Sequence, residues 1–211
     1  MRTAGKLSVE FIVLVALLNA MVAMSIDTML PAIGAIAQEL GAADPNSRQY
    51  IITTFFAGLT LGTLIYGPWS DSIGRKPAII IGLTFYALGS LICLFSANFP
   101  MILIGRVIQG LGAAGPRIVS IAMVRDGQGG AAMARIMSFA MTIFVLVPAI
   151  APLLGATLGD LFGWRSIFWS FLVFGTVSGS WLLFRQPETL PPESRRSLEP
   201  GPVFRAFREV F

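Results

Sequence analysis

Apolar residues are concentrated in six runs, each close to or above the roughly 20 residues that cross the hydrocarbon core of a bilayer as a helix. The runs cover about 9–34, 49–70, 77–97, 99–122, 136–159 and 166–184. Short segments with Gly and charged residues separate most of them, and Asn98 alone separates the third run from the fourth. The pattern predicts an all-α membrane protein in which residues 1–184 form a bundle of six transmembrane helices.

The pattern changes after the sixth run. Residues 186–192 include three prolines and cannot continue a membrane helix. Further on, the apolar residues fall on one helical face; they are Val203, Phe204, Phe207, Val210 and Phe211. We therefore predict that residues 185–211 form a cytoplasmic linker and the start of an amphipathic helix.

Composition supports lipid as the solvent of this chain. Of its 211 residues 55% are hydrophobic and only 12% are charged, whereas roughly 25% of a soluble domain is charged. The sequence contains no histidine and a single cysteine, Cys93. These residues therefore offer no Ser-His-Asp or Cys-His catalytic site and no usual zinc site, so we expect no enzyme activity, cofactor or metal.

Lysine and arginine lie mainly on one side of the six predicted helices. That side has Arg2, Lys6, Arg75, Lys76, Arg125, Arg135, Arg185, Arg195, Arg196, Arg205 and Arg208. The opposite side has Arg48 and Arg165. Because cytoplasmic loops are enriched in these cations, the distribution predicts that both termini are cytoplasmic. It favours a role of the net charge of +4 in membrane topology over nucleic-acid binding.

A short motif occurs twice, three helices apart. Asp71 is followed by Gly74 and Arg75 after the second run, and residues 160–165 repeat an Asp-x-x-Gly turn with a trailing arginine after the fifth. The two turns lie on opposite faces of the predicted bundle. This arrangement is typical of an inverted repeat of three plus three helices.

Two charged residues lie inside predicted helices, where a charge costs about 2.5–3.5 kcal/mol and usually has a function. Asp27 is 11 residues before Gln38, or about 16 Å deep, and Arg106 is 8 residues after Asn98, or about 12 Å deep. Their similar depth predicts interaction, directly or through water. One interpretation is a structural ion pair; the other is a titratable acid that binds a proton from one side and releases it to the other.

Polar and small residues on the same helices suggest further roles. Asn19 lies two turns before Asp27 on roughly the same face, where it either lines a cavity or bonds a neighbouring helix. Gly58 and Gly62, like Gly175 and Gly179, form Gly-x-x-x-Gly pairs that predict close helix packing.

The turn between the second and third runs carries a specific motif: Gly67, Asp71, Gly74, Arg75 and Lys76. A Gly-x-x-x-Asp-x-x-Gly-Arg-Lys sequence between two spans is rare by chance and predicts a tight hairpin. It resembles the signature loop of the major facilitator superfamily. The resemblance implies that this loop, with Asp71, acts at a cytoplasmic gate.

Further motifs resemble the Bcr/CflA-type drug:proton antiporters of that superfamily, and the resemblance covers essentially the whole chain. In the fourth run Arg106, Gln109 and Gly110 match, and in the fifth Pro148, Pro152 and Gly155 approximate an antiporter motif. The resemblance implies a proton-relay role for Arg106, a coupling role for Asp27, and a cavity position for Gln109. Pro148, Pro152 and Gly155 argue weakly for antiport.

Members of this family have two six-helix halves, and the six spans here correspond to the N-terminal half. We expect a second half, supplied by a longer chain, another subunit or a second copy. The leading hypothesis is proton-driven efflux of small amphipathic drugs or metabolites across the bacterial cytoplasmic membrane. The alternatives are an importer of the same superfamily and a membrane protein that does not transport.

Overall fold

The fold was obtained as a computed structural model that describes residues 9–42, 44–127 and 130–195. Within these ranges the regular secondary structure is helical. The α-helices are α1 (Val9–Asp27), α2 (Ile33–Glu39), α3 (Tyr50–Ile73), α4 (Arg75–Leu94), α5 (Phe99–Gly127), α6 (Gly130–Phe162) and α7 (Arg165–Arg185). Short 3-10 turns occur at Leu30–Ala32, Pro45–Gln49 and Pro192–Ser194.

Six stretches of this structure are long and apolar enough to cross a membrane, which confirms the predicted number of spans. They are Val9–Glu39, Asn46–Ile73, Arg75–Leu94, Phe99–Gly127, Met133–Phe162 and Arg165–Arg185. The first span is two helices, α1 and α2, rather than the single run that hydropathy suggests. α5 and α6 extend beyond their apolar runs because a helix continues past the lipid where helix-forming residues allow it.

α5 lies at the centre of the bundle and packs between α3 and α4. Glycine makes this close approach possible: a Cβ atom at Gly58 of α3 would lie 1.9 Å from the carbonyl oxygen of Val107 on α5. A Cβ at Gly112 of α5 would lie 2.2 Å from the amide nitrogen of Tyr86 on α4. These contacts confirm the packing role predicted for Gly58.

α1 packs against α6 and α5, and α4 packs against α7. α6 contributes much less to the interior than α5 does: its Val145, Ile150 and Leu153 are more than 60% exposed. An apolar face of this size faces lipid or another protein rather than water.

The last span ends at Arg185, and residues 186–195 follow it as extended chain and a short turn at Pro192–Ser194. Gln186 and Leu190 are buried, so this segment is packed onto the bundle rather than free in solvent. The amphipathic helix predicted around residues 203–211 lies outside the described residues.

Candidate functional site

The first span is interrupted at Asp27, the residue for which the family resemblance implied a coupling role. α1 ends at Asp27, and the amide of Met29 donates to the carbonyl of Ile26 (3.1 Å) instead of that of Ser25, one turn earlier. Pro31 has no N–H and cannot donate to the carbonyl of Asp27. The interruption therefore frees backbone acceptors beside a half-buried carboxylate.

Arg106 of α5 is completely buried and takes up one of these acceptors. Its Nη2 donates to the carbonyl of Ser25 (3.2 Å) and its Nε to the carbonyl of Ile51 on α3 (3.1 Å). Its guanidinium also lies over the ring of Phe55, 4.3 Å from the centroid. A permanently charged side chain thus joins α5 to α1 and α3 at the depth of the interruption.

Gln109 and Ser90 complete the coordination of Arg106. Arg106 Nη1 donates to Gln109 Oε1 (2.6 Å), and Gln109 Nε2 donates to Ser90 Oγ (2.8 Å). Ser90 Oγ in turn donates to the carbonyl of Tyr86 (2.8 Å). Gln109 therefore fixes the guanidinium inside the bundle. It is fully buried, so the cavity position that the resemblance implied for it is not what this structure shows.

Asp27 and Arg106 do not form the direct ion pair that their similar depth allowed. No ion pair among the described residues includes either of them. Arg106 is instead held by two carbonyls and one side-chain amide. Similar depth did not ensure an ion pair, because depth along a helix does not define the direction in which a side chain points. The interruption of the first span also provided a carbonyl acceptor for Arg106 that the sequence pattern did not reveal. The same described residues contain no cluster of three acids or cysteines able to hold a metal ion.

Asn19 joins two helices. Its Nδ2 donates to the carbonyl of Val15 (2.9 Å) and to Ser120 Oγ on α5 (3.0 Å), and the residue is 8% exposed. Of the two interpretations that the sequence left open, this geometry matches the interhelical hydrogen bond rather than the cavity lining.

The predicted antiporter motif lies on α6. Gly155 is buried where α6 meets the interruption of the first span: a Cβ atom there would lie 1.8 Å from the carbonyl oxygen of Thr28. Pro148 is exposed and Pro152 is half-buried, and both lie inside the helix. Gly155 therefore contacts the segment that carries Asp27, whereas Pro148 contributes to the outer face of α6.

The Gly-x-x-x-Asp-x-x-Gly-Arg-Lys motif forms the turn between α3 and α4. Gly67 and Asp71 lie in the last turns of α3, and Gly74 closes it with φ 108° and ψ 159°, a conformation that only glycine adopts readily. Its amide donates to the carbonyl of Ser70 (3.2 Å). The next residue, Arg75, already belongs to α4, so the hairpin is as tight as the motif predicted.

Arg75 is the centre of a charge cluster at this turn. Its side chain is 5% exposed and pairs with Asp71 (2.5 Å) and with Asp126 at the end of α5 (2.7 Å). Nη1 also donates to Ser70 Oγ (2.7 Å). Asp126 was missed by the sequence analysis, although its position just after the fourth apolar run, on the same predicted side as Arg75, was a usable signal.

Glu188 caps the first turn of α4 from the segment after α7. Its carboxylate accepts from the amides of Arg75 and Lys76, both at 3.0 Å. In the opposite direction, from α4 to α7, Lys76 Nζ donates to the carbonyls of Leu183 (2.7 Å) and Gln186 (2.9 Å) at the end of α7. An acid at a helix N-terminus and a cation at a C-terminus are both favoured by the helix dipole. Lys76 therefore ties the turn to the last span.

The turn after α6 is the counterpart of the turn after α3. Gly163 has φ 78°, and Arg165 Nη1 pairs with Glu39 at the end of α2 (2.5 Å). Trp164 Nε1 donates to the same carboxylate (2.7 Å), and the guanidinium lies 4.1 Å from the centroid of its ring. In both turns, then, the arginine binds an acid at the end of a span from the other three-helix repeat.

Comparison with known proteins gives one family and a set of relatives. Residues 14–211 match the family model described as the Major Facilitator Superfamily. The bicyclomycin resistance protein homolog of Haemophilus influenzae is 30% identical over 197 residues, which are 93% of this chain and 49% of that protein. The multidrug resistance protein MdtL of Klebsiella pneumoniae is 30% identical over 175 residues, 83% of this chain and 44% of that protein.

Solved structures show the same fold. A D-xylose-proton symporter matches with a TM-score of 0.71 and 16% identity, over 95% of this chain and 53% of that chain. The human organic anion transporter MFSD10 (TETRAN) matches with a TM-score of 0.68 and 21% identity, over 92% and 52%. The chain spans about half the length of the curated relatives it matches.

Proposed function

This chain belongs to the major facilitator superfamily, and we propose that it forms one six-helix half of a carrier that exports small amphipathic drugs or metabolites in exchange for protons. The second half, from a longer chain or another subunit, completes the substrate cavity. The membrane is the bacterial cytoplasmic membrane, with both termini on the cytoplasmic side. The drug-resistance names of its relatives support export of drugs, and the uneven distribution of arginine and lysine supports the orientation.

The observation that carries the proposal is the interrupted first span. Asp27, half-buried at the end of α1, follows Ser25 by two residues, and the carbonyl of Ser25 accepts from the buried guanidinium of Arg106. This guanidinium has no carboxylate partner among the described residues. Buried charges in proteins are normally paired. Asp27 follows Ser25 by two residues, and the carbonyl of Ser25 binds Arg106, so we assign the proton-binding role to this carboxylate.

The geometry supports the following coupling. When Asp27 is ionised, it attracts Arg106 and the segment around Ser25; when it binds a proton, that attraction is lost. Because the segment between Asp27 and Ile33 is not regular α-helix, it is the part of the first span that adjusts most easily. A substrate that prefers one arrangement therefore changes the proton affinity of Asp27, and the coupling is reciprocal, typically about 1–3 kcal/mol.

The cytoplasmic turn has a different part in this mechanism. Asp71, Arg75 and Asp126 join α3, α4 and α5 at their cytoplasmic ends. We place the gate of the carrier here, because α3 cannot move away from α5 at this end without breaking ion pairs in which the arginine is buried.

The test is substrate-induced proton release from the purified full-length protein in weak buffer, with a panel of drugs headed by bicyclomycin. We expect the parent protein to release protons and the Asp27→Asn variant to release none while still binding drug, because the amide keeps the volume but cannot titrate. Asn19→Ala, which removes a polar group from the same helix, is the control and keeps proton release. If Asp27→Asn released as many protons as the parent, the coupling acid would lie elsewhere. If the protein took up drug instead of exporting it, the importer would be favoured.

A further inference from the structure

We propose that Tyr86 and Ser25 are positioning residues of the coupling site: their hydroxyl pair fixes the interrupted end of α1 and, through it, the guanidinium of Arg106. This inference rests on the proposed coupling roles of Asp27 and Arg106. It concerns two residues that carry no charge and belong to none of the sequence motifs described above.

The tyrosine is well suited to this role. Tyr86 of α4 is 1% exposed, and its hydroxyl lies 2.7 Å from Ser25 Oγ on α1. The direction of the bond follows from a second contact. Ser25 Oγ lies 2.7 Å from the carbonyl of Met21, to which it donates its one proton. Tyr86 is therefore the donor, and Ser25 is the acceptor.

Ser25 is bound at two points by two different helices. Its side chain accepts from Tyr86 on α4, and its carbonyl accepts from Arg106 Nη2 on α5. The carbonyl is available because the amide of Met29 donates to Ile26 at the interruption. Ser25 is two residues before Asp27, so these two bonds determine where the end of α1 sits relative to the guanidinium.

The contacts close into a ring. From Arg106 they run through Gln109 Oε1, Gln109 Nε2 and Ser90 Oγ to the carbonyl of Tyr86. From Tyr86 they return through its hydroxyl to Ser25 and so to Arg106. The Tyr86 hydroxyl is the one link of this ring that joins α4 to α1. Its removal opens the ring and leaves the other bonds of Arg106 with their partners.

The other ionisable groups near the ring are identifiable. Tyr86 and Cys93, both on α4, are close enough to Arg106 to interact with it electrostatically. α3 presents Phe55 and the carbonyl of Ile51 to it, and α6 approaches the interruption with Gly155. Asp27 is the acid of this region that exchanges a proton in the proposed cycle. Tyr86 affects that exchange by holding the end of α1 in position through Ser25.

The chain provides a matched control for the test. Tyr66 of α3 is also 1% exposed, but its hydroxyl has no hydrogen-bond partner among the described residues. Tyr86→Phe and Tyr66→Phe therefore remove the same atom from two equally buried tyrosines, and only the first breaks a hydrogen bond.

We expect Tyr86→Phe in the full-length protein to slow drug-induced proton release by about threefold to tenfold, the equivalent of one buried hydrogen bond. The drug concentration for half-maximal release stays unchanged, because the substrate contacts are intact. Tyr66→Phe leaves both quantities unchanged. Equal effects of the two variants on proton release would overturn the inference.

Ser25→Ala provides an independent check. It removes the acceptor of the same bond, so it should slow release as Tyr86→Phe does, and the double variant should be no slower than either single one. Fully multiplicative effects would show that the two hydroxyls act separately and would contradict the proposal. If the parent protein releases no protons with any drug of the panel, the proposed function fails instead, so the two failures are distinguishable.

Discussion

The turn after α3 and the turn after α6 are built on the same plan. Each ends a helix with a positive-φ glycine, Gly74 (φ 108°) or Gly163 (φ 78°), whose amide donates to the carbonyl four residues earlier. Each then presents an arginine to an acid at the end of a distant span: Arg75 to Asp126, and Arg165 to Glu39. Because the two turns belong to spans two–three and five–six, the shared geometry supports the inverted three-plus-three repeat.

The surroundings of the two turns differ strongly. The side chain of Arg75 is 5% exposed and that of Asp126 is 18% exposed, whereas those of Arg165 and Glu39 are 42% and 50% exposed. Gly74 is enclosed by Glu188 and Arg195, while nothing lies within 4 Å of a Cβ atom added at Gly163. The same local sequence therefore produces a buried charge cluster at one turn and an exposed ion pair at the other. Burial, rather than the motif, decides how much each contact contributes.

The largest difference is expected for the two arginines. Arg75→Ala leaves the partly buried Asp126 without its cation and should lower the free energy of unfolding by about 3 kcal/mol, near the lower limit for a broken buried pair. Its backbone bond to Glu188 does not depend on the side chain. Unfolding by denaturant in detergent, followed by tryptophan fluorescence, measures the change.

Arg165→Ala is the matched control for that experiment. It removes an exposed ion pair, which contributes about 1 kcal/mol or less. It also removes the contact of the guanidinium with Trp164 and the hydrogen bond from Arg165 Nη2 to the carbonyl of Ser96 (3.1 Å). If both alanine variants lost equal stability, burial would not be what separates the two turns.

The glycines give a smaller difference. Gly74→Ala forces a Cβ into a conformation available essentially to glycine alone and places it 2.7 Å from Glu188 Oε2, so we expect a loss of about 2 kcal/mol. The Cβ of Gly163→Ala contacts no neighbouring atom, so only the strain of the left-handed backbone, about 1 kcal/mol, destabilises this variant. The same unfolding measurement compares them. A larger loss for Gly163→Ala would contradict the assignment of the α3–α4 turn as the more constrained one.

The elements of this fold were readable from the sequence because they depend on local patterns. Six apolar runs predict six spans, and the Asp-x-x-Gly motif with a trailing arginine predicts both glycine turns. The ion-pair partners were not predicted, since Asp126 is 51 positions from Arg75 and Glu39 is 126 positions from Arg165. Such pairs depend on how the helices are arranged, which local periodicity does not contain.

In the candidate site, too, the sequence predicted the charged residues but not their contacts. Asp27 and Arg106 were identified because charges inside apolar runs are costly, and helical rise placed them at similar depths. The hydropathy of the first run did not reveal that α1 ends at Asp27 and frees the carbonyl of Ser25. Tyr86 and Ser25 carried no signal either, because a tyrosine and a serine in apolar runs are unremarkable until their hydroxyls are seen 2.7 Å apart.

The smallest expected effect concerns the turn after α6, where the sequence motif and the structure give Arg165 different partners. By analogy with Asp71 and Arg75, the motif pairs Arg165 with Asp160, which is exposed and has no ion-pair partner among the described residues. The structure pairs Arg165 with Glu39.

Glu39→Gln keeps an oxygen for Trp164 but removes the charge, so the loss of stability should be below about 1 kcal/mol. Asp160→Asn should change nothing. Because the pair is exposed, raising the salt concentration should bring the parent and Glu39→Gln together. Unfolding curves at low and high salt measure this, and a salt-sensitive loss in Asp160→Asn rather than Glu39→Gln would mean that the motif, not the observed contact, identifies the partner of Arg165.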